Sequence, residues 1–179
     1  MTNMFLRRAA AATIAGIAGL ALIPGPAHAE TRTFSDGVKA EGPDVKWARV
    51  NHGKTRVNVR SDVGVISSGD LYTLWIDTRS SDPGPEYKME MSPNSDDLGL
   101  RAVETFKSRG TAVEDCNFQA QADAFGDTPE IYFSVPRACI GNPKKVRISL
   151  RARFMDPEDS SYSYDWLPKA RTFTGWVAR

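Results

Sequence analysis

From Thr31 to the C-terminus the dominant pattern is alternation of apolar and polar residues, interrupted at short intervals by clusters of Gly, Pro, Asp and Ser. That period-two signal predicts β-strands with one face on a core and the other in water. It is clearest in two segments. Thr55, Val57 and Val59 alternate with Arg56, Asn58 and Arg60, while Val146, Ile148, Leu150, Ala152 and Phe154 alternate with Arg147, Ser149, Arg151 and Arg153. The run Leu71–Asp77 is apolar at both parities, which predicts a central strand covered on both sides. Weaker strands are predicted at residues 45–51, 86–91, 98–105, 113–122, 130–135 and 171–177. No segment beyond residue 29 carries an apolar stripe of helical length. Residues 136–141 (Pro-Arg-Ala-Cys-Ile-Gly) fit one short helical turn, with proline at its start and glycine ending it. The expectation is an all-β fold: a two-sheet antiparallel β-sandwich of about nine strands, jelly-roll-like, with a short helical turn near Pro136.

The first 29 residues have a different character. Arg7 and Arg8 precede an apolar stretch at residues 9–23, then Pro24-Gly25-Pro26 breaks it before Ala27-His28-Ala29, an Ala-x-Ala cleavage site. This predicts a signal peptide, with residues 30–179 folding as one exported β-sandwich domain. The apolar stretch is too short and too rich in Ala and Gly to span a bilayer core of about 30 Å. No membrane span is therefore expected after cleavage, and the predicted location is extracellular. The chain has 23 basic and 22 acidic residues; Arg7 and Arg8 leave with the leader, so the exported part carries 21 against 22 and is nearly neutral. That balance gives no nucleic-acid signature.

Cys116 and Cys139 are the only cysteines, and both lie in the exported part. An even count in an oxidising compartment predicts one disulfide, with two buried free thiols as the other reading. Catalytic motifs are lacking: the chain has no His-Glu-x-x-His, no Gly-x-Ser-x-Gly and no Cys-x-x-Cys. Residues 64–69 have the glycine spacing of a phosphate loop, but Asp70 stands where that loop requires lysine. After leader removal His52 is the one remaining histidine, and beside Gly53 and Lys54 it reads as a turn residue rather than a triad base.

Three constellations are candidates for function. Asp77, Asp82 and Glu86 flank a turn-forming loop where their carboxylates could converge; calcium, which takes six to eight oxygen ligands, is the cation such a loop would hold. Arg79 lies in the same loop, so a metal-free turn closed by an ion pair is the other reading. Paired carboxylates for glycoside hydrolysis, Asp77 with Glu86 or Asp159 with Asp165, would make a secreted hydrolase, though acids are common in turns for structural reasons. Arg56, Arg60, Arg147, Arg151 and Arg153 would line one face for a polyanion if their strands were neighbours, or else form ordinary solvated faces with Lys88, Glu90 and Glu104 interspersed. Finally, Tyr162, Tyr164 and Trp166 share one parity, so an extended backbone places three rings on one face about 7 Å apart. Such a row either stacks on sugar rings or closes an end of the core.

The segments Leu-Tyr-Thr-Leu-Trp-Ile-Asp-Thr (71–78), Asp-Pro-Gly-Pro-Glu-Tyr (82–87), Val-Pro-Arg-Ala-Cys (135–139) and Tyr-Asp-Trp-Leu-Pro (164–168) together resemble small secreted actinobacterial β-sandwich proteins, with which no activity is associated. The strand ending Ile-Asp-Thr before an acidic loop also resembles extracellular carbohydrate-binding and DOMON-type sandwich modules. The first resemblance spans nearly all of the exported part; the second covers one strand and its loop, implies a binding module and carries over no catalytic residue. The expectation is a secreted, non-catalytic protein with a binding or structural role outside the cell and an unidentified extracellular ligand; the alternative is a carbohydrate- or cell-wall-binding module, calcium-assisted if the acidic loop holds the ion. The fold requires no cofactor.

Overall fold

The computed structural model describes residues 29–37, 44–95, 98–124, 128–156 and 158–179; all but the last residue of the predicted leader therefore lies outside the described part. Among the described residues twelve strands follow one another: β1 (Glu30–Phe34), β2 (Trp47–His52), β3 (Arg56–Asp62), β4 (Leu71–Asp77), β5 (Tyr87–Met91), β6 (Gly99–Ala102), β7 (Thr111–Ala112), β8 (Gln119–Asp123), β9 (Glu130–Pro136), β10 (Lys145–Met155), β11 (Tyr162–Leu167) and β12 (Val177–Ala178). They form two antiparallel sheets. The smaller has the order β1-β2-β3-β9-β8, the larger β11-β10-β4-β5-β6-β7, with β12 also on β10. Among the described residues no helix is long and apolar enough to cross a membrane.

The core lies between the sheets, built from the parities the alternation marks. Val57 and Val59 of β3, with Ile131, Phe133 and Val135 of β9, face Leu74 and Ile76 of β4 and Ile148 and Leu150 of β10, all at most 1% exposed. Each buried aliphatic or aromatic side chain contributes about 1.5–3 kcal/mol. β4 is central, as its double-sided apolar pattern requires. Tyr72, Leu74 and Ile76 point into the core, whereas Trp75, of opposite parity, points out of the sandwich and is still only 2% exposed. Something must therefore cover the outer face of the larger sheet, and that cover builds the site described below.

The short turn forms as a 3-10 helix at Arg137–Ile140; Gly141 ends it at φ 76°, donating its N–H to the Arg137 carbonyl. A left-handed φ of this kind is open to glycine without a Cβ penalty. Cys116 and Cys139 are joined, with their Cα atoms 5.9 Å apart, inside the limit of about 7 Å for a bridge.

Three expectations need correction. Residues 113–122 are not one strand. β7 belongs to the larger sheet and β8 to the smaller, and between them Asp115 takes a left-handed φ of 51° while Cys116 is tied to the 3-10 turn. Residues 171–177 are mostly irregular, because β11 already occupies the edge of β10 over Leu150–Met155. The chain returns to that edge only through Thr174, whose N–H donates to Ile148 O while its Oγ1 accepts from Ile148 N, and then through β12. His52 is not a turn residue. It ends β2 fully buried, its Nδ1 3.1 Å from Val177 O and its Nε2 accepting from Arg137 Nε at 3.0 Å.

Candidate functional site

Strand register decides which outward side chains meet. Across the larger sheet Trp166 of β11 lies opposite Arg151 of β10, which lies opposite Thr73 of β4, which lies opposite Glu90 of β5. The adjacent row runs Ser149, Trp75, Lys88, Arg101. The indoles of Trp75 and Trp166 stack with centroids 5.2 Å apart and planes 12° from parallel. Arg151 lies over both rings, at 5.2 and 5.6 Å, and over Tyr164 at 5.8 Å, donating from Nη2 to Thr73 Oγ1. Arg153 lies over Tyr162 at 4.5 Å. Rings and guanidiniums thus alternate along the β10–β11 pair, each contact worth about 0.5–1 kcal/mol where exposed and more where desolvated.

Two loops close over Trp75. The first, residues 103–110, brings Phe106 to 5.3 Å from Trp75 and 6.2 Å from Trp166. Its tip is a turn in which Ser108 N donates to Thr105 O and Ser108 Oγ accepts from Thr105 N; Lys88 Nζ reaches Ser108 O at 3.5 Å. Gly110 closes the loop at φ 75°, where a Cβ would stand 2.4 Å from Ala102 O. The second loop, 168–176, packs Phe173 on Phe106 at 5.1 Å.

Between the loops and the strands lies a cleft of about 350 Å³, its mouth carrying Lys107, Arg109 and Arg171 and its wall Lys88, Glu90, Arg151, Phe106 and the two tryptophans. Burial disfavours the charged form of Arg151, and Glu90 is the foremost influence in the other direction. The row predicted from parity forms as an outward face of β11. Tyr162 and Tyr164 are 48% and 55% exposed, while Trp166 is half-buried against Trp75 at the foot of the row, where the cleft opens.

The acidic loop is brought together differently. Asp77 Oδ2 accepts from Arg147 Nε and Nη2, each at 2.6 Å, and Asp77 Oδ1 accepts from Arg79 N. Glu86 Oε2 accepts from Thr78 N and Oγ1, with Arg79 Nε 3.6 Å from Oε1; Asp82 caps its own turn at Gly84 N. Burial pushes the Asp77 and Glu86 carboxyls above the usual range, against these hydrogen bonds. Among the described residues no group of three His, Cys, Asp or Glu side chains is placed to hold a metal ion. Asp159 sits exposed in the β10–β11 turn bonded to Ser161 N, whereas Asp165 is buried and accepts from Val45 N, so these two carboxylates do not face one another across a cleft. The five-arginine face does not form either, since Arg56 and Arg60 are on the smaller sheet and Arg147, Arg151 and Arg153 on the larger.

Other clefts offer less. The one on the smaller sheet, lined by Arg60, Gln121, Asp123, Glu130, Ile131 and Tyr132, has its arginine paired with Glu130. The one beside Val65 is lined by Asp70, whose carboxylate is committed to Ser67 N, Tyr72 OH and Met155 N. Trp75, Phe106, Lys107, Arg109 and Arg171 were not singled out by motif; the one signal for them was a tryptophan on the outward parity of a doubly apolar strand. Compared with known families and curated proteins, the chain has no match. The site therefore rests on its own geometry.

Proposed function

We propose that the protein is an exported, non-catalytic binding protein whose ligand-contacting surface is the outer face of β10 and β11, and whose ligand is a glycan or cell-wall polymer. The observation that carries this is the exposed pair Tyr162 and Tyr164 running down to a cleft floored by Trp166. Flat rings at strand spacing, stiffened by Arg151 and Arg153 and wet on their free sides, suit the apolar faces of a linear sugar chain. Aromatic anchors that lose little conformational freedom are what a binding surface uses. The leader and the disulfide agree with work outside the cell. The carboxylates considered for hydrolysis are engaged in holding turns and loops, which favours binding over catalysis.

Co-sedimentation of the exported chain with cell-wall fractions and insoluble polysaccharides tests the reading. The Tyr162→Ala/Tyr164→Ala variant should melt within about 1 kcal/mol of the parent, as exposed substitutions do. It should also be retained at least about tenfold less, the loss of about 1.4 kcal/mol of stacking. Equal retention of parent and variant would remove the aromatic face from the account.

A further inference from the structure

Elsewhere on the molecule arginines are seated on acceptors of the protein: Arg60 on Glu130, Arg79 on Glu86 and Arg147 on Asp77, with Arg56 and Arg137 donating to backbone carbonyls. The cleft at the foot of the aromatic row breaks that pattern. Five cationic side chains line it, Lys88, Lys107, Arg109, Arg151 and Arg171, against the single carboxylate of Glu90, which is taken by Lys88 at 3.1 Å. Among the described residues the other four have no carboxylate of their own, in a chain whose formal charge is only +1. Two of the buried donors here, Trp75 Nε1 and Arg151 Nε, also have no acceptor among the described residues. Like charges gathered around a concave, partly apolar surface repel one another and focus the field into the cleft.

We infer that this cleft seats an oxyanion substituent, a carboxylate or a sulfate, of an acidic glycan whose sugar rings lie along Tyr164 and Tyr162. The inference rests on the binding reading above and narrows it to charged ligands. At about 350 Å³ the cleft falls at the small end of ligand sites, room for one substituted sugar unit rather than a folded partner. Arg109, Arg171 and Lys107 are exposed at its mouth and free to close on an oxyanion, Arg by a two-pronged contact. A nucleic acid is the poorer fit. Its backbone is charged at every unit, yet the far end of the row runs into the β10–β11 turn with Asp156, Glu158 and Asp159, all exposed. The charge complement is concentrated at one end of the row, as a chain anchored by one charged unit requires.

Affinity electrophoresis or calorimetry of the exported chain decides, with polygalacturonate and its fully methyl-esterified form, dextran sulfate and dextran, and single-stranded oligo(dT). At least one acidic glycan should bind about tenfold or more tighter than its neutral counterpart, the worth of one charge-assisted hydrogen bond. Added salt should erase the difference. Arg109→Gln/Arg171→Gln, both at exposed positions, should lose that preference while keeping affinity for the neutral chain; Tyr162→Ala/Tyr164→Ala should weaken both. Equal affinity for acidic and neutral forms, with the tyrosine variant still weakened, overturns the oxyanion site and leaves the binding face standing. Retention of no glycan overturns the inference, and the binding reading falls with it only if cell-wall retention is also absent. Oligo(dT) bound as tightly as the acidic glycan, and lost in the arginine variant, overturns the choice of glycan.

Discussion

Removing the buried imidazole of His52 should make folding stability less sensitive to acid, even though it lowers stability at neutral pH. His52 ends β2 in the smaller sheet; its Nδ1 faces Val177 O of β12 on the larger sheet, and its Nε2 accepts from Arg137 of the 3-10 turn. Arg137 is 5% exposed and has no carboxylate partner among the described residues, its other acceptors being the carbonyls of Lys54 and Pro143. The arrangement demands a neutral ring, with Nδ1–H donating to Val177 and Nε2 receiving from Arg137. Burial, aided by the Arg137 and Arg179 charges, holds the His52 pKa below its usual value. Acid then favours the unfolded chain, whose free imidazole takes up a proton near pH 6.5 while the folded ring does not. The stability this group contributes is complete above that value and is lost as pH falls toward its folded pKa. For a single such histidine the loss between pH 7.5 and 5.0 is at most about 2 kcal/mol. His52→Leu, of similar volume, removes both hydrogen bonds and the titration. At pH 7.5 it should cost about 3 kcal/mol, one hydrogen bond from a buried cation and one to a buried carbonyl. At pH 5.0 the gap should shrink to about 1 kcal/mol, because the parent has lost what the variant cannot lose. Asp77 and Glu86, with raised folded values, contribute in the opposite sense, losing stability as pH rises through those values, but equally in both proteins. Urea unfolding of parent and variant at the two pH values measures the difference. A gap that stays constant, or widens in acid, would refute the neutral-ring assignment.

Three further outcomes are expected. Denatured, unreduced protein should titrate no free thiol, and opening the Cys116–Cys139 bridge should cost about 3 kcal/mol, the chain-entropy value for its loop; one or two reactive thiols would contradict the pairing. Melting in millimolar calcium and in chelator should coincide, since Arg147 and Thr78 already occupy the Asp77 and Glu86 oxygens; a calcium site filled at 100 times its dissociation constant would instead add about 2.7 kcal/mol. Gly110→Ala should displace the 103–110 loop, because the new Cβ meets Ala102 O at a left-handed backbone, and should destabilise by more than about 1 kcal/mol with loss of acidic-glycan affinity. An unchanged urea midpoint for that variant would show that the loop yields without cost.

The β-sandwich was legible because alternation reports burial one face at a time: β3 and β10 each put their apolar parity on the shared core, and β4 its two apolar parities on two different neighbours. β1 was not read, because its exposed edge position leaves Glu30–Phe34 almost without a buried side. The break between β7 and β8 depends on a backbone conformation at Asp115 that aspartate tolerates but does not announce. For the site, parity located the aromatic row and the disulfide followed from cysteine count. The cationic cleft was beyond that reasoning. Lys88 meets Trp75 only through the β4–β5 register, and Arg109 and Arg171 arrive on loops more than 60 residues apart, joined by a phenylalanine contact that no local pattern encodes.

The stacked indoles also give the molecule an optical property of its own. Two chromophores 5.2 Å apart and 12° from parallel share their electronic excitation, so Trp75 and Trp166 absorb and emit as a coupled pair rather than as two independent rings. Both rings line the cleft, but Trp75 is only 2% exposed between the sheet and Phe106 whereas Trp166 is half-buried, so a guest that shifts Trp166 even slightly changes the coupling. Circular dichroism and tryptophan emission would then follow occupancy in unlabelled protein, and the same signal would disappear early on heating if the outer aromatic layer loosens before the core.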